Sequence, residues 1–305
     1  MHTHPATKRL ISDFIEQHQL DSQFATIALN WFIPVAETLY VHHERANNPL
    51  FVGINGCQGS GKSTLSQFLH QYLEQCKGLS VVSMSLDDFY LSHSERMALS
   101  IKIHPLLATR GVPGTHNTDL IQTVLSALST QQSATIPRFN KATDDPCPTS
   151  QWQSVTGKVD IVLFEGWCWG VLPEQSSALL APMNDLEKEH DPLGVWRGYV
   201  NQQIKEHYVP LYQQMQFWMQ LKAPSFNCVY RWRLQQEQKL VDAFTQDGVL
   251  PCEATKGIMQ APQIATFIQH YQRLTTHSLN SMAKTCDLVL ELDELRNIIA
   301  SKGLI

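Results

Sequence analysis

Apolar residues in the first part of the chain recur at the spacing of amphipathic helices. One group lies between positions 10 and 15 and a second between positions 24 and 32. Pro34 should disturb the second helix, because proline removes a backbone donor and crowds the preceding turn. The pattern therefore predicts two helices before residue 49.

Beyond residue 49, short apolar runs alternate with stretches of helical periodicity. The predicted strands are LFVGI (50–54), LSVVSMSL (79–86), KVDIVLF (158–164), QFWMQL near 216 and CDLVLEL near 286. The predicted helices cover about 62–76, 118–130, 194–207, 225–244 and 264–281. Such alternation is typical of an α/β fold with a mostly parallel sheet covered by helices on both faces. We divide the chain into an N-terminal helical extension, residues 1–48, and an α/β domain, residues 49–305.

Two segments do not follow this alternation, residues 89–117 and residues 139–157. Long irregular segments in a compact domain are usually functional or disordered. Both follow predicted strand ends, and an open sheet of this class binds its ligands at that edge. We therefore expect substrate-binding residues in these two segments.

The residues 56–63, GCQGSGKS, match the phosphate-loop pattern G-x-x-x-x-G-K-[ST] between a predicted strand and a predicted helix. The glycines let backbone N–H groups turn toward phosphates, and the helix adds unpaired N–H groups and its positive dipole end. Lys62 should reach the β and γ phosphates, and the Ser63 hydroxyl should ligate Mg²⁺. A glycine turn without a ligand is the alternative. The residues expected to bind the nucleoside triphosphate are Gly56, Cys57, Gln58, Gly59, Ser60, Gly61, Lys62, Ser63 and Thr64.

Three acidic residues follow the strands beside this loop. Asp87 and Asp88 follow one strand, and Glu165 closes another. Because parallel strands bring their carboxyl ends to one edge, these side chains should converge on the loop. Glu165 is then expected to hold magnesium, and Asp87 is placed to accept the proton of an attacking hydroxyl. The alternative is that all three only cap helices or turns.

Composition excludes some partners and compartments. The 23 Lys and Arg against 28 Asp and Glu give a net charge of −5, so no basic field is expected to bind nucleic acid. Seven cysteines without a C-x-x-C pair favour reduced thiols over a disulfide framework or a zinc cluster. Asp13 and Glu16 interrupt the first apolar stretch, and no run approaches the ~20 apolar residues of a membrane span. We expect a cytoplasmic protein without membrane contact.

The motifs GINGCQGSGKST, SLDDFY and VLFEGW, in that order, resemble small-molecule P-loop kinases related to uridine kinase, pantothenate kinase and phosphoribulokinase. Further segments are similar to the D-glycerate 3-kinase branch: TRGVPGTHN (109–117), IPRFNKATDDPCP (136–148), DPLGVWRGYVNQQI (191–204), YRWRLQQEQKL (230–240) and FIQHYQRLT (267–275). The resemblance spans roughly residues 50–290. It implies the P-loop NTPase fold, ATP and Mg²⁺ as cofactors, Asp87 as the base and Glu165 as the magnesium carboxylate.

The resemblance also implies an acceptor site. It brings Arg110, His116 and Arg138 toward the substrate, and we include Asp88 among the substrate-binding residues. A small hydroxy acid needs a cation for its carboxylate, and the planar fork of arginine suits that task. The alternatives are a solvated surface for the arginines and a helix cap for His116. The family usually has Asp where this chain has Asn117 and Asn140, which removes charge near the proposed pocket.

Two arginines lie in the segment YRWRLQQEQKL. Arg231 and Arg233 are two positions apart on a predicted helix, so they point to different faces and at most one enters the site. We choose Arg233 to offset charge on the transferring phosphoryl group. The alternative is a pairing with Glu237, one turn further along.

These observations favour an ATP-dependent kinase for a hydroxyl of a small hydroxy acid, foremost the 3-hydroxyl of D-glycerate. A kinase for another small alcohol, of the uridine or pantothenate type, is the nearest alternative. A P-loop ATPase or nucleotide-driven switch, and an inactive binding module, are the others. The expected partner is a small-molecule substrate, and the sequence predicts no oligomeric state.

Overall fold

The computed structural model describes residues 4–46, 48–246 and 261–303, with ten strands and eleven α-helices among them. The strands are β1 (Leu50–Gly56), β2 (Val81–Ser85), β3 (Ala134–Ile136), β4 (Phe139–Asn140), β5 (Asp145–Pro146), β6 (Gln153–Val155), β7 (Ile161–Gly166), β8 (Phe217–Lys222), β9 (Leu288–Leu292) and β10 (Ile298–Lys302). The helices are α1 (Pro5–Gln17), α2 (Phe24–Ile27), α3 (Ile33–Arg45), α4 (Lys62–Lys77), α5 (His93–Lys102), α6 (Thr118–Ser129), α7 (Asp185–His190), α8 (Val195–Gln203), α9 (Val209–Tyr212), α10 (Phe226–Gln246) and α11 (Ala261–Ser281).

The central sheet has six strands in the order β10-β9-β8-β1-β7-β2, and only β10 runs antiparallel to its neighbour. β1 and β7 are buried at every residue, which is why they read as continuous apolar runs in the sequence. All five predicted strands are present. The mostly parallel α/β fold predicted from the sequence is confirmed.

The strand β10 is absent from the sequence prediction. It is an edge strand with exposed residues, so it carries no buried apolar run, and Ile299 is 63% exposed. Its connection to β9 is a tight turn in which the Asp293 carboxylate accepts from the backbone N–H groups of Leu295 and Asn297, at 2.8 Å each. Local turn chemistry and pairing with β9, rather than hydrophobic patterning, therefore define this strand.

Two hydrophobic cores lie on the two faces of the sheet. Consecutive residues of β1 serve both, because Phe51 belongs to the cluster under α6 and α8 and Val52 to the cluster under α4 and α10. Phe164 and Leu163 of β7 divide in the same way. The predicted covering of both faces by helices is confirmed.

The N-terminal helices pack on α4 and share the second of these cores. The ring of Phe14 is stacked on Phe24 at 5.3 Å and meets Phe68 of α4 edge-on at the same distance. Phe32 contacts Phe68 at 5.6 Å between ring centroids. These helices therefore bury their apolar faces against the α/β core. The division of the chain between residues 48 and 49 stays a prediction.

The second N-terminal helix is disturbed beside Pro34, as predicted. The helix is continuous from Phe24 to Arg45, but residues Ala28–Phe32 form a π-helical turn before α3 begins. Proline lacks the N–H that the α-helical ladder needs at this point and crowds the carbonyl four residues earlier. Within the described residues, this helix is also the one long and apolar enough to cross a membrane by length and composition alone, with a mean hydropathy of 1.3.

The two segments expected to be irregular contain short elements. Residues 89–117 include α5, which begins at a capping box in which the Ser92 side chain accepts from the N–H of Glu95 and Glu95 accepts from the N–H of Ser92. The S-x-x-E signature was present in the sequence, so the expectation of an irregular segment was wrong here. In residues 139–157, β4 pairs with β5 and β6 pairs with β3. Strands of two or three residues are too short to show a period of two.

Buried ion pairs hold α11 against α7 and the loop before it. The Arg273 guanidinium donates to both carboxylate oxygens of Glu187, at 2.7 and 2.6 Å, and lies 3.6 Å from Glu174. Asp191 accepts from the backbone N–H groups that open α8 and is paired with Arg197. These contacts fix α11, which carries Tyr271 into the site described below.

Phe14 tests the packing of the N-terminal helices. We expect Phe14→Ala to lower the free energy of unfolding by about 3–5 kcal/mol, because its fully buried ring leaves a cavity against α4. Ile101→Ala is the matched control, since Ile101 is 85% exposed and its loss should change stability by less than ~0.5 kcal/mol. Urea unfolding followed by far-UV circular dichroism measures both. Equal, small effects of the two substitutions would show that the N-terminal helices are not part of the core.

Candidate active site

The phosphate loop joins β1 to α4 in the conformation that its glycines permit. Gly59 has φ +76° and Gly61 has φ +91°, both in the left-handed region. A Cβ at Gly59 would lie 2.7 Å from Cβ of Trp232, so only glycine fits beneath α10. No side chain caps α4 at Gly61, which leaves the first N–H groups of the helix directed into the loop. Burial raises the pKa of the Cys57 thiol in this loop to about 12.

Lys62, Ser63 and Glu165 lie together at the carboxyl end of β1 and β7. The Ser63 hydroxyl donates to Glu165 Oε1 at 2.9 Å, and Lys62 Nζ lies 3.8 Å from Oε2. Burial opposes the charge of Lys62, but Glu165 and Asp87 outweigh it and raise the pKa of the ammonium. The parallel register of β1 and β7 therefore brings the predicted magnesium carboxylate to the predicted phosphate lysine.

The Ser63 and Glu165 pair fits a magnesium ion. Both supply hard oxygen atoms, and Glu165 Oε2 is buried without a hydrogen bond to any residue in the described ranges. Mg²⁺ in sites of this kind takes one or two protein oxygens and completes its shell with phosphate oxygens and water. The donor set is therefore sufficient for a metal that binds together with a nucleotide.

Asp87 lies at the end of β2, in the short helical turn that begins the segment after that strand. Its carboxylate accepts from Tyr90 Oη and from Lys141 Nζ, both at 2.6 Å. Burial works against its charge, but Lys141 and then Lys62 hold the pKa of Asp87 well below its ordinary value. The carboxylate is thus ionised and capped by a cation.

Asp88 and Arg138 pair with each other. Arg138 donates to Asp88 Oδ2 at 2.9 Å and to Gln153 Oε1 at 2.5 Å, and the N–H of Phe139 donates to Asp88 Oδ1 at 3.3 Å. Burial raises the pKa of Asp88 and Arg138 opposes that rise. The pair fastens the segment before β4 to the end of β2, so both predicted substrate residues already hold protein partners.

Arg110 also has a partner, the Asp144 carboxylate at the end of the β4–β5 turn. Arg96 of α5, whose side chain is fully buried, donates to the same carboxylate, and His93 Nδ1 lies 3.2 Å from it. The Arg110 guanidinium lies 5.7 Å from the ring centroid of Phe139. Three basic side chains from two segments thus fix the turn, and Arg110 is 30% exposed beside it.

His116 is buried, not exposed. Its Nδ1 is 2.7 Å from Tyr208 Oη, and its ring is stacked on Tyr90 at 4.8 Å. Burial lowers the pKa of His116 to about 3, which Asp87 opposes weakly, so the imidazole is neutral. Its Nε2 is buried and has no hydrogen-bond partner in the part of the chain described. His116 therefore presents an unsatisfied polar atom near the predicted base.

The two arginines of α10 separate as their spacing predicts. Arg231 points outward and pairs with Glu294 at 2.9 Å. Arg233 is half-buried, and its charge acts on the Tyr271 hydroxyl of α11. Burial and Asp87 raise the pKa of Tyr271, and Arg110 and Arg233 oppose that rise. The side chain of Glu237, the alternative partner, lies outside the described residues.

Asn117 and Asn140, where the family usually has aspartate, both make local caps. Asn117 Oδ1 accepts from the N–H of Leu120 at 2.9 Å and so caps α6. Asn140 Oδ1 accepts from the N–H of Ala142 at 2.9 Å within the β4–β5 turn. Both caps are of the kind that aspartate also makes, so the local turns do not require a charge at either position.

Side chains around the loop after β7 hold the acceptor side of the site together. Trp167 Nε1 donates to the carbonyl of Gly111 at 2.9 Å, and Tyr271 Oη donates to the carbonyl of Arg110 at the same distance. Asn55 of β1 donates to the carbonyls of Trp167 and Trp169, at 3.2 and 2.9 Å. The segment 109–117 is therefore connected through Trp167 to the strand that leads into the phosphate loop.

The described residues form cavities on two sides of the phosphate loop. One, of about 480 Å³, lies at the outer edge of the sheet beside Ser63, Glu165, Asp88 and Arg138, and His18 after α1 also lines it. Its lining is mainly polar side chains, and two of them form the predicted magnesium pair. This cavity therefore lies on the metal side of the site.

The other cavity, of about 390 Å³, lies on the opposite side of the loop. Gly59 and Thr64 line it on the side of the phosphate loop, and Leu292 at the end of β9 forms another wall. The N-terminal helices contribute Phe24 and Ile27. An apolar cavity beside a phosphate loop has the character that a flat nucleobase requires.

Comparison with models of known protein families gives no match. Comparison with individual proteins does. The chain is 34% identical over 233 residues to an uncharacterized kinase, mug58, of Schizosaccharomyces pombe, covering 73% of this chain and 78% of that one. It is 31% identical over 239 residues to the chloroplastic D-glycerate 3-kinase of Arabidopsis thaliana, of whose length it spans about half (49%), covering 72% of this chain.

A solved structure gives the same answer. The D-glycerate 3-kinase from Cryptococcus neoformans var. grubii superposes with a TM-score of 0.73 at 25% identity, over 90% of this chain and 99% of that one. The chain belongs to the D-glycerate 3-kinase family. This family consists of P-loop kinases, and the protein is an ATP-dependent phosphotransferase whose acceptor is an alcohol.

The sequence analysis does not identify several residues of the site of this D-glycerate 3-kinase family member. Tyr90 and Lys141 both donate to the Asp87 carboxylate. Asp144 contacts three basic side chains, and Tyr271 connects α11 to the segment before α6. Tyr90 had a signal, its place three residues after Asp87 in SLDDFY. The described cysteines are free thiols, and Cys252 lies outside the described residues.

Gly59 provides a test of the loop in this D-glycerate 3-kinase family member. We expect Gly59→Ala to weaken ATP binding about tenfold or more, ~1.4 kcal/mol, because the new Cβ meets Trp232 and the residue has a positive φ. Gly78→Ala is the control. Gly78 lies at the far end of α4 with φ +70°, and no atom beyond its chain neighbours lies within 4 Å of the position that an added Cβ would take. It should cost about 1–2 kcal/mol of stability without changing ATP affinity. Calorimetric titration with ATP separates the two, and equal affinities would contradict the role of the loop.

Proposed function

We propose that the protein transfers the γ-phosphoryl group of ATP to a hydroxyl of a small hydroxy acid, with D-glycerate as acceptor and 3-phosphoglycerate as product. The observation that supports this most is the convergence at one sheet edge of Asp87, Glu165 and Lys62 beside the phosphate loop. The second support is the similarity to two proteins named D-glycerate 3-kinase. The identity of the acceptor, D-glycerate, is part of this proposal.

ATP would bind with its phosphates in the loop and its base in the apolar cavity beside it. Lys62 would contact the β and γ phosphates, and the loop N–H groups of residues 56–64 would surround them. Phe24 and Ile27 line this cavity, so the N-terminal helices would take part in nucleotide binding. Arg233, half-buried near Tyr271, would offset charge on the transferring group.

Ser63 and Glu165 would hold Mg²⁺. A magnesium ion held by these two residues would supply positive charge against the charge that develops on the phosphates during transfer. Glu165 Oε2 has the free lone pairs for this contact, directly or through water. The Ser63 hydroxyl is oriented toward the same point by its bond to Oε1.

The acceptor would lie above Asp87, on the side of His116 and Arg110. Asp87 would take the hydroxyl proton while that oxygen attacks the γ phosphorus. The unsatisfied Nε2 of neutral His116 would hydrogen-bond a second hydroxyl of the acceptor. Arg110 and Arg138, each paired with a carboxylate, contribute positive potential where an acid would enter.

The first experiment compares acceptors. With Mg²⁺ and ATP, we expect phosphate transfer to D-glycerate at a kcat/KM at least about a hundredfold above that for uridine or pantothenate. Uridine has no carboxylate for the cations of the site, and the carboxylate of pantothenate lies much further from its primary hydroxyl than that of D-glycerate does. Product formation is followed by phosphorus NMR and mass spectrometry. If the protein preferred uridine or pantothenate, the proposed acceptor would be wrong and the preferred compound would take its place. ATP hydrolysis without transfer to any of the three would favour a nucleotide-driven switch instead.

The second experiment tests the base. Asp87→Asn should leave ATP affinity nearly unchanged and lower kcat by ~10² to 10⁴, since general base catalysis contributes that factor. Asp88→Asn is the matched control at the next position, and because it disturbs a tether to Arg138 we expect it to change kcat far less. A decrease of less than tenfold for Asp87→Asn would assign the proton to another group.

A further inference from the structure

Lys141 is a basic residue of the site to which the sequence analysis gives no role. It lies in the turn between β4 and β5, and its ammonium donates to Asp87 Oδ2 at 2.6 Å. Its side chain is 58% exposed, so the group reaches the carboxylate from the solvent side. The proposed base of the reaction is therefore covered by a lysine at the place from which an acceptor would enter.

Several contacts fix the backbone of the turn that carries Lys141, whereas the lysine ammonium is held by its bond to Asp87. Asp144 binds Arg96 and Arg110, and the N–H of His93 donates to Asp145 Oδ1 at 2.8 Å. These contacts fix the backbone of the turn beside the site. Lysine carries its charge on a flexible four-carbon stem, so its ammonium can move several ångströms while the turn remains in place.

The bond to Lys141 conflicts with the proposed role of Asp87. A carboxylate that accepts from an ammonium at hydrogen-bond distance is a weak base. If it took up the hydroxyl proton it would become neutral, and the ammonium would lose its ionic partner. Lys62 adds to this effect in the absence of phosphates. Binding of ATP gives Lys62 new anionic partners, so Lys141 is the cation that still has to leave Asp87.

An anionic acceptor supplies the replacement. The neighbouring arginines are already bound to carboxylates, Arg138 to Asp88 and Arg96 and Arg110 to Asp144. Lys141, in contrast, is bound to the reacting group itself. An acceptor carboxylate near Asp87 offers the ammonium an equivalent partner, so one ion pair exchanges for another, whereas a neutral alcohol offers none.

We propose that Lys141 selects for anionic acceptors: its ammonium moves from Asp87 to the carboxylate of the bound hydroxy acid, and only this exchange frees Asp87 to act as base. This rests on the proposed function, because it takes Asp87 as the base of a kinase for a hydroxy acid. The acceptor hydroxyl oxygen then forms its bond to the γ phosphorus as the bond from phosphorus to the β–γ bridging oxygen breaks. The electron pair of that bond leaves with ADP, and the hydroxyl proton goes to Asp87.

D-Glycerate and its neutral isostere, D-glyceramide, are the matched probes, because they differ only in the charge of the group that Lys141 would bind. For the wild-type protein we expect kcat/KM for D-glycerate to exceed that for D-glyceramide by about a hundredfold or more. In Lys141→Met the ratio should fall below about ten, with D-glyceramide turned over at least as fast as by the wild type. Lys141→Arg, which keeps the charge, should retain most of the preference.

The pH dependence provides a readout that a structural role would not change. The charged and titratable groups facing Asp87 are Lys141, Lys62, Asp88, Tyr90, His116, Cys168 and Tyr271. Removal of the Lys141 cation destabilises the ionised form of Asp87, so its pKa rises. The acid limb of kcat/KM, measured with non-titrating D-glyceramide, should therefore shift to higher pH in Lys141→Met.

Lys158→Met is the control, since Lys158 is a surface lysine paired with Asp160 at 2.8 Å. It should change neither the ratio nor the pH profile. Equal losses for both acceptors in Lys141→Met, including complete inactivity, would overturn the proposal, because the neutral acceptor should not depend on this lysine. If wild-type protein uses both compounds equally, the kinase stands and the role of Lys141 fails. If it uses neither, the proposed acceptor itself is wrong.

Discussion

The placement of the Lys62 ammonium between the carboxylates of Glu165 and Asp87 is the interaction on which the site depends. Charges removed from water need partners at short range, or they lose more hydration energy than folding can replace. Here the three charged groups lie at the ends of three adjacent parallel strands: Lys62 follows β1, Glu165 lies at the end of β7 and Asp87 follows β2. Their buried registers set the spacing of the charged groups, so hydrophobic packing of the sheet determines the electrostatics at its edge.

Around these three groups, the basic side chains proposed for the acceptor are each paired with a carboxylate of the protein. Arg138 binds Asp88, Arg110 binds Asp144 and Lys141 binds Asp87. Ion pairs of this kind keep the cations in position while no anion is bound. They also make ligand binding an exchange of partners rather than a new burial of charge, which favours ligands that carry the same charge as the carboxylates they replace.

The sequence was informative where the signal was local or periodic. The five buried strands, the phosphate loop and the acids at strand ends follow from runs of apolar residues and from the common edge of parallel strands. The partners of those acids do not. Lys141 lies 54 residues beyond Asp87, and no spacing rule joins them. His116 could be placed near the substrate by motif, but its hydrogen-bond partner is Tyr208, 92 residues away.

The N-terminal helices show how a segment without chemistry of its own can still belong to the site. Phe14 and Phe32 pack on Phe68 of α4, the helix whose first turn carries Lys62 and Ser63. Displacements of about 1 Å at a reacting group can cost two orders of magnitude in rate. A helix that presents phosphate ligands at one end therefore needs rigid support along its length. We infer that the aromatic contacts on α4 provide this support, in addition to the wall that the same helices form beside the loop.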